Sequence, residues 1–179
     1  MKRLSISSLV ALLCACACLG IVAARAIAED IYTNDFSKDL GKWKLAKAEG
    51  KVEAEGLKIT KVEQFGGIGI EEKPAQDLSA AKALAFEVAN GGDSELAVVI
   101  KIGSDKNKDS KDYKIPAGKT VTLRRDLADL SDVDLKKIDY VRLFVPKAGD
   151  VKLTIKKVTL VGGTAASKPA SKPASEPAK

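Results

Sequence analysis

Between Asp30 and Gly163 apolar residues recur at every second position, in short runs broken by glycine, proline and asparagine. "KALAFEVAN" sets Leu84, Phe86 and Val88 on one face, and "SELAVVIKIG" does the same with Leu96, Val98, Ile100 and Ile102. A period of two marks a strand with one buried side. "GKVEAEGLKIT" alternates through Val52 and Ala54 and, past Gly56, through Leu57 and Ile59. "IDYVRLFVP" aligns Val141, Leu143 and Val145. "EDIYTNDF", "KWKLAK", "GGIGIEE", the stretch around Tyr113 and Ile115, and "KTVTLRRDL" read as further strands. In "DVKLTIKKVTLV" a second lysine between Ile155 and Val158 predicts a bulge or a switch of face. Asn90-Gly91-Gly92-Asp93 is a hairpin signal, Pro116-Ala117-Gly118 a turn, and "SDKNKDSKD" a polar loop. Only "DLSAAKAL" and "LADLSDVDLKK" have helical character, and both are short. Nine or ten strands without βαβ units predict an all-β fold, a two-sheet antiparallel β-sandwich.

The ends of the chain have a different texture. Lys2 and Arg3 precede an apolar run from Leu9 to Ala24, and Ala26-Ile27-Ala28 supplies small residues where a signal peptidase cuts. Residues 1–28 are therefore expected to be a signal peptide, with the exported protein starting at Glu29. Cys14, Cys16 and Cys18, all the cysteines of the chain, would leave with it. Two alternatives are a lipid anchor at Cys16, within Leu13-Cys14-Ala15-Cys16, and an uncleaved anchor over Leu4 to Ala24. The expected location is secreted or periplasmic, with no transmembrane span once the signal is removed. At the other end "TAASKPASKPASEPAK", residues 164–179, carries proline every fourth residue and reads as an extended, disordered tail. Residues 29–163 remain as one domain, which must fold without disulfides.

Charge changes the picture little at this level. The formal +6 of the whole chain falls to 24 basic against 23 acidic residues in the body, because the two ends are basic. The body's charges are interspersed along the sequence. This excludes the basic stripe of a nucleic-acid binder, and it promises no concentrated field for an anion. With no histidine and no cysteine outside the signal, Ser-His-Asp and Cys-His catalysis and histidine-bound metals are excluded. Glu71, Glu72, Asp126 and Asp129 sit in ordinary charged contexts, so a carboxylate glycosidase is a distant reading and the protein is expected not to be an enzyme.

Several segments carry a resemblance. "NDFSKDLGKW", "DLSAAKALAFEVANGGDSELAVVIKIG", "YKIPAGKTVTLRRDLADL" and "IDYVRLFVPKAGDVKLTIKKVTL" resemble successive parts of the carbohydrate-binding-module, or galactose-binding-like, jelly-roll superfamily. The resemblance spans nearly all of residues 31–161. It implies a jelly-roll sandwich and a non-catalytic module that associates weakly with a polysaccharide or cell-surface glycan. The alternative is a structural or assembly protein of the envelope or extracellular matrix, with possible self-association. Such modules often hold a structural calcium, but here Lys156 and Lys157 stand where an acid is expected and Ser37 follows Phe36. No metal or cofactor is therefore expected, and calcium is disfavoured. Glycans stack on exposed rings. Trp43, Phe36, Phe86 and Phe144 read as core or edge packing, which leaves Tyr113, Tyr140 and Phe65 as ring candidates and Arg124, Arg125 and Arg142 as donors to hydroxyls.

Overall fold

The alternating runs form nine strands: β1 (Asp30–Asn34), β2 (Lys44–Glu53), β3 (Gly56–Gln76), β4 (Ala81–Asn90), β5 (Leu96–Ser104), β6 (Asn107–Ile115), β7 (Thr120–Asp126), β8 (Ile138–Val145) and β9 (Gly149–Gly162). The structure is a computed structural model that describes residues 30–104 and 107–163, without the side chains of 72–74. The expected signal with its cysteines, Glu29 and the tail lie outside the described residues.

Every pairing is antiparallel, along the path β6-β5-β8-β3-β9-β4-β7. The path folds back on itself at β3. The first half of β3 pairs with β9 (Leu57 opposite Ile155), and its second half pairs with β8 (Ile68 opposite Leu143). Layer A is thus β7-β4-β9, with β1 and the first half of β3 along the far side of β9. Layer B is β6-β5-β8 and the second half of β3, and β2 follows β3 through both layers.

The bend has a local cause. Ala48 pairs with Val62 but Ala46 pairs with Gly67, so residues 63–66 bulge out opposite Lys47. Lys47 and Phe65 take left-handed backbone, φ 53° and 60°. A Cβ on Gly66 would lie 2.0 Å from the Lys47 carbonyl oxygen, so only glycine admits this approach. The bulge carries the β2–β3 hairpin from one layer to the other and leaves Phe65 49% exposed.

The inward faces are those of the period-two reading. Leu84, Phe86 and Val88 join Val98, Ile100, Ile102, Leu143, Leu153 and Ile155 in one buried cluster. Trp43 packs edge-on between Phe36 and Phe86, with centroids 6.0 and 5.5 Å away. Burying each large side chain contributes roughly 1.5–3 kcal/mol, which replaces the missing disulfides.

Four local expectations are corrected. Asn90–Asp93 closes no hairpin, because β4 and β5 do not pair; the turn arches from layer A to layer B. Buried Asn90 holds that arch, donating to the carbonyls of Ser94 (2.8 Å) and Ile115 (3.0 Å). "SDKNKDSKD" is no loop: from Asn107 it is β6, a layer-edge strand whose two wet faces hide the alternation. "DLSAAKAL" runs into β4, and "LADLSDVDLKK" yields two single 3-10 turns, Leu127–Asp129 and Leu135–Lys137. "GLKIT" and "GGIGIEE" belong to one bent strand. The bulge predicted at the paired lysines is present, since Glu87 opposes Lys157 while Val88 opposes Ile155.

Candidate functional site

The outward side of layer B can be built from register alone. On β8 the inward residues Val141, Leu143 and Val145 force Tyr140, Arg142 and Phe144 outward, and all three are half-buried. Three rows then cross the strands. Lys108, Gly103, Tyr140 and Glu71 form one row. Ser110, Lys101, Arg142, Gly69 and Lys44 form the next. Asp112, Val99, Phe144, Gly67 and Ala46 form the third.

Glycine shapes this face. The Arg142 stem lies over Gly69, where a Cβ would come within 3.1 Å of its Cγ. The stem of Lys108 crosses Gly103 in the same way, at 2.5 Å. Lys108 thereby brings its Nζ to 4.5 Å from the centre of the Tyr140 ring, within cation–π range. Arg142 Nη1 lies 3.4 Å from the Tyr140 hydroxyl. At the bend, exposed Phe65 meets Phe144 edge-on at 5.8 Å. The result is a surface of three rings and several cations over a low backbone floor.

Tyr140, Arg142 and Phe65, three of the six candidates, are therefore gathered on one face. Phe144 joins them, which corrects its assignment to core or edge packing. The signal was present: an inward Val141, Leu143 and Val145 place Phe144 outside by parity.

Tyr113, Arg124 and Arg125 lie elsewhere, at the seam where β6 of layer B meets β7 of layer A. The Tyr113 hydroxyl donates to the Arg124 carbonyl oxygen at 2.6 Å. The Arg125 side chain, 8% exposed, is paired with Asp109 across the seam and lies 3.5 Å from Asp129. Burial pushes the Tyr113 phenol above its usual pKa, against the pull of Arg125. Arg124 bonds Asp126 at 2.8 Å. These groups already have partners, and they hold the two ends of the strand path together.

A cavity of about 420 Å³ opens between the layers beside β1, lined mainly by Ile31, Trp43, Ile70, Leu84, Val141 and Leu160. The Trp43 indole N–H, with the Thr159 hydroxyl, is buried without a partner among the described residues. Tyr32, Lys42, Gln76 and Asp77 add polar groups to this otherwise apolar lining. Among the described residues, no three acidic, cysteine or histidine side chains are grouped to hold a metal ion. No helix among them is long and apolar enough to cross a membrane.

No protein-family model matches the chain, and no curated protein does. Solved structures do. An exo-beta-agarase aligns with TM-score 0.62 at 15% identity, over 76% of this chain and 25% of that one. The C-terminal family 22 carbohydrate-binding module of Clostridium thermocellum Xyn10B aligns with TM-score 0.52 at 17% identity, over 75% and 94%. A xylan-binding domain from the same module family gives 0.51 at 13%, over 76% and 97%. The chain spans about a quarter of the agarase and nearly the whole of each module. Its fold is the β-sandwich jelly roll of those carbohydrate-binding modules.

Proposed function

We propose that this protein is an exported, non-catalytic module that binds a glycan along the outer face of layer B. One observation carries the reading: Tyr140, Arg142 and Phe144 stand side by side on β8, with Phe65 at the end and glycines on the neighbouring strands. A sugar ring presents an apolar face that loses water together with an aromatic ring, and its hydroxyls need donors. Rings flanking a guanidinium supply both. The likeness to a module described as a xylan-binding domain supports the reading at the level of fold.

Catalysis finds no support on this face. The carboxylates of its three rows, Glu71 on β3 and Asp112 on β6, are three strand spacings apart, about 14 Å or more. Glycosidase pairs stand roughly 5–10 Å apart. Asp126 and Asp129 are occupied by Arg124 and Arg125.

With few rings, each stack contributing on the order of 1 kcal/mol beyond burial, affinity is expected at roughly tens of micromolar to millimolar. The test is a pull-down on a panel of insoluble neutral and acidic polysaccharides. Tyr140→Ala and Phe144→Ala should each weaken retention about five- to tenfold while the melting transition stays cooperative. Retention indifferent to both would place the site elsewhere.

A further inference from the structure

The middle row of the outer face of layer B poses an electrostatic problem. Lys101 stands directly opposite Arg142, and Arg142 opposite Gly69, which in turn faces Lys44. Like charges in cross-strand positions destabilise a sheet. Among the described residues, none of these three cations has a carboxylate within 4.0 Å. Lys108 adds a fourth cation, turned to the Tyr140 ring instead of an acid. The only acids in the three rows are Glu71 and Asp112, set at the margins.

Layer A treats its charges differently. On and around its outer side Arg124 bonds Asp126 at 2.8 Å, Lys58 lies 3.6 Å from Glu53, Lys61 lies 3.3 Å from Glu49, and Lys157 opposes Glu87. Several cations of the molecule thus have acidic neighbours, Lys114 on β6 among them with Glu95 at 3.0 Å, whereas the row Lys101, Arg142 and Lys44 has none within 4.0 Å among the described residues. A half-buried arginine kept free of carboxylates between two rings is a planar fork of donors, matched to a planar or tetrahedral oxyanion.

We infer that the glycan is anionic, a polysaccharide whose carboxylate or sulfate groups seat on the row Lys101, Arg142 and Lys44 while its rings lie on Tyr140 and Phe144. This rests on the glycan reading above and deepens it. The ligand charge removes the repulsion between Lys101 and Arg142, and Arg142 supplies paired hydrogen bonds that a lysine cannot copy.

The experiment is calorimetry of the full protein with matched polymers: polygalacturonate against its methyl ester, and dextran sulfate against dextran. Each is measured at about 20 mM and about 200 mM salt, between which the Debye length falls from roughly 20 Å to roughly 7 Å. One anionic member should bind at least about tenfold more tightly than its neutral partner and weaken severalfold in the higher salt. The tighter pair identifies carboxylate or sulfate. Arg142→Lys should lose most of the preference although the net charge is unchanged. Lys101→Glu should abolish the preference but spare weak binding to the neutral partner. Equal, salt-independent binding of neutral and anionic polymers would overturn this inference and leave the glycan reading standing. Binding of neither would remove both. A salt-sensitive preference untouched by both substitutions would be general attraction to a basic protein, and would overturn it as well.

Discussion

Two regions of this molecule use the same residue types to opposite ends. On β8, Tyr140 and Arg142 face outward with no carboxylate partner among the described residues. At the β6–β7 seam, Tyr113, Arg124 and Arg125 are tied to a carbonyl, Asp126, Asp109 and Asp129. The first arrangement leaves donors and rings available to a ligand. The second uses them up, joining the two ends of the strand path where backbone pairing stops. A tyrosine near an arginine therefore has no role by composition. What decides is whether its hydrogen bonds are already made.

The largest effect that would sharpen this contrast is expected on the floor of the open face. Gly67→Ala would place a Cβ 2.1 Å from the Leu143 carbonyl oxygen, so β3 and β8 must part. We expect a loss of about 3 kcal/mol, the upper end of overpacking costs, read from the urea midpoint. A neutral result would mean that the face is less tightly floored than the register implies.

Next comes the seam. Arg125→Ala leaves Asp109 and Asp129 without their cation and opens a gap beside buried Leu123 and Leu127. Because Asp109 is partly exposed, the cost should fall below that of a fully buried pair, at about 2 kcal/mol. Arg142→Ala should change stability by less than about 0.5 kcal/mol. Equal destabilisation by both substitutions would erase the distinction between the regions.

The smallest effect is the most specific. Tyr113→Phe removes one hydrogen bond, worth about 1 kcal/mol. The Tyr113 pKa is raised in the fold, chiefly by burial. The folded protein therefore holds this proton more tightly than the unfolded chain does. The associated stability is intact below the unfolded value of about 10 and falls as pH climbs beyond it. Melting curves across this alkaline range should decline more steeply for the wild type than for Tyr113→Phe. Parallel slopes would show that the phenol is not held as described.

Much of the architecture was legible in the sequence. A period of two is a local property, so the inward faces of β4, β5, β8 and β9, and the bulge at the paired lysines, could be read from residues 81–162 alone. Parity even placed Tyr140 outside, and applied evenly it places Phe144 there too. The misses share a cause. β6 hides because a layer-edge strand with wet faces shows no hydrophobic alternation, and the Asn90–Asp93 turn looks like a hairpin because turn chemistry does not specify which strand comes next in space.

The sequence by itself determined where the chain is extended, which side of each strand is apolar, and that neither histidine nor cysteine chemistry is available to the body. The tertiary structure decided who stands beside whom. Strand order in a jelly roll is made by contacts between residues far apart in the chain, and a lysine in sequence carries no mark of its cross-strand neighbour. Charges that alternate harmlessly along the chain therefore meet acids in some places, as Lys58 meets Glu53 and Lys114 meets Glu95. In another, Lys101, Arg142 and Lys44 fall into one row beside two aromatic rings. The near-neutral count of 24 against 23 could not foretell that row, because net charge is a sum and binding depends on where the charges lie.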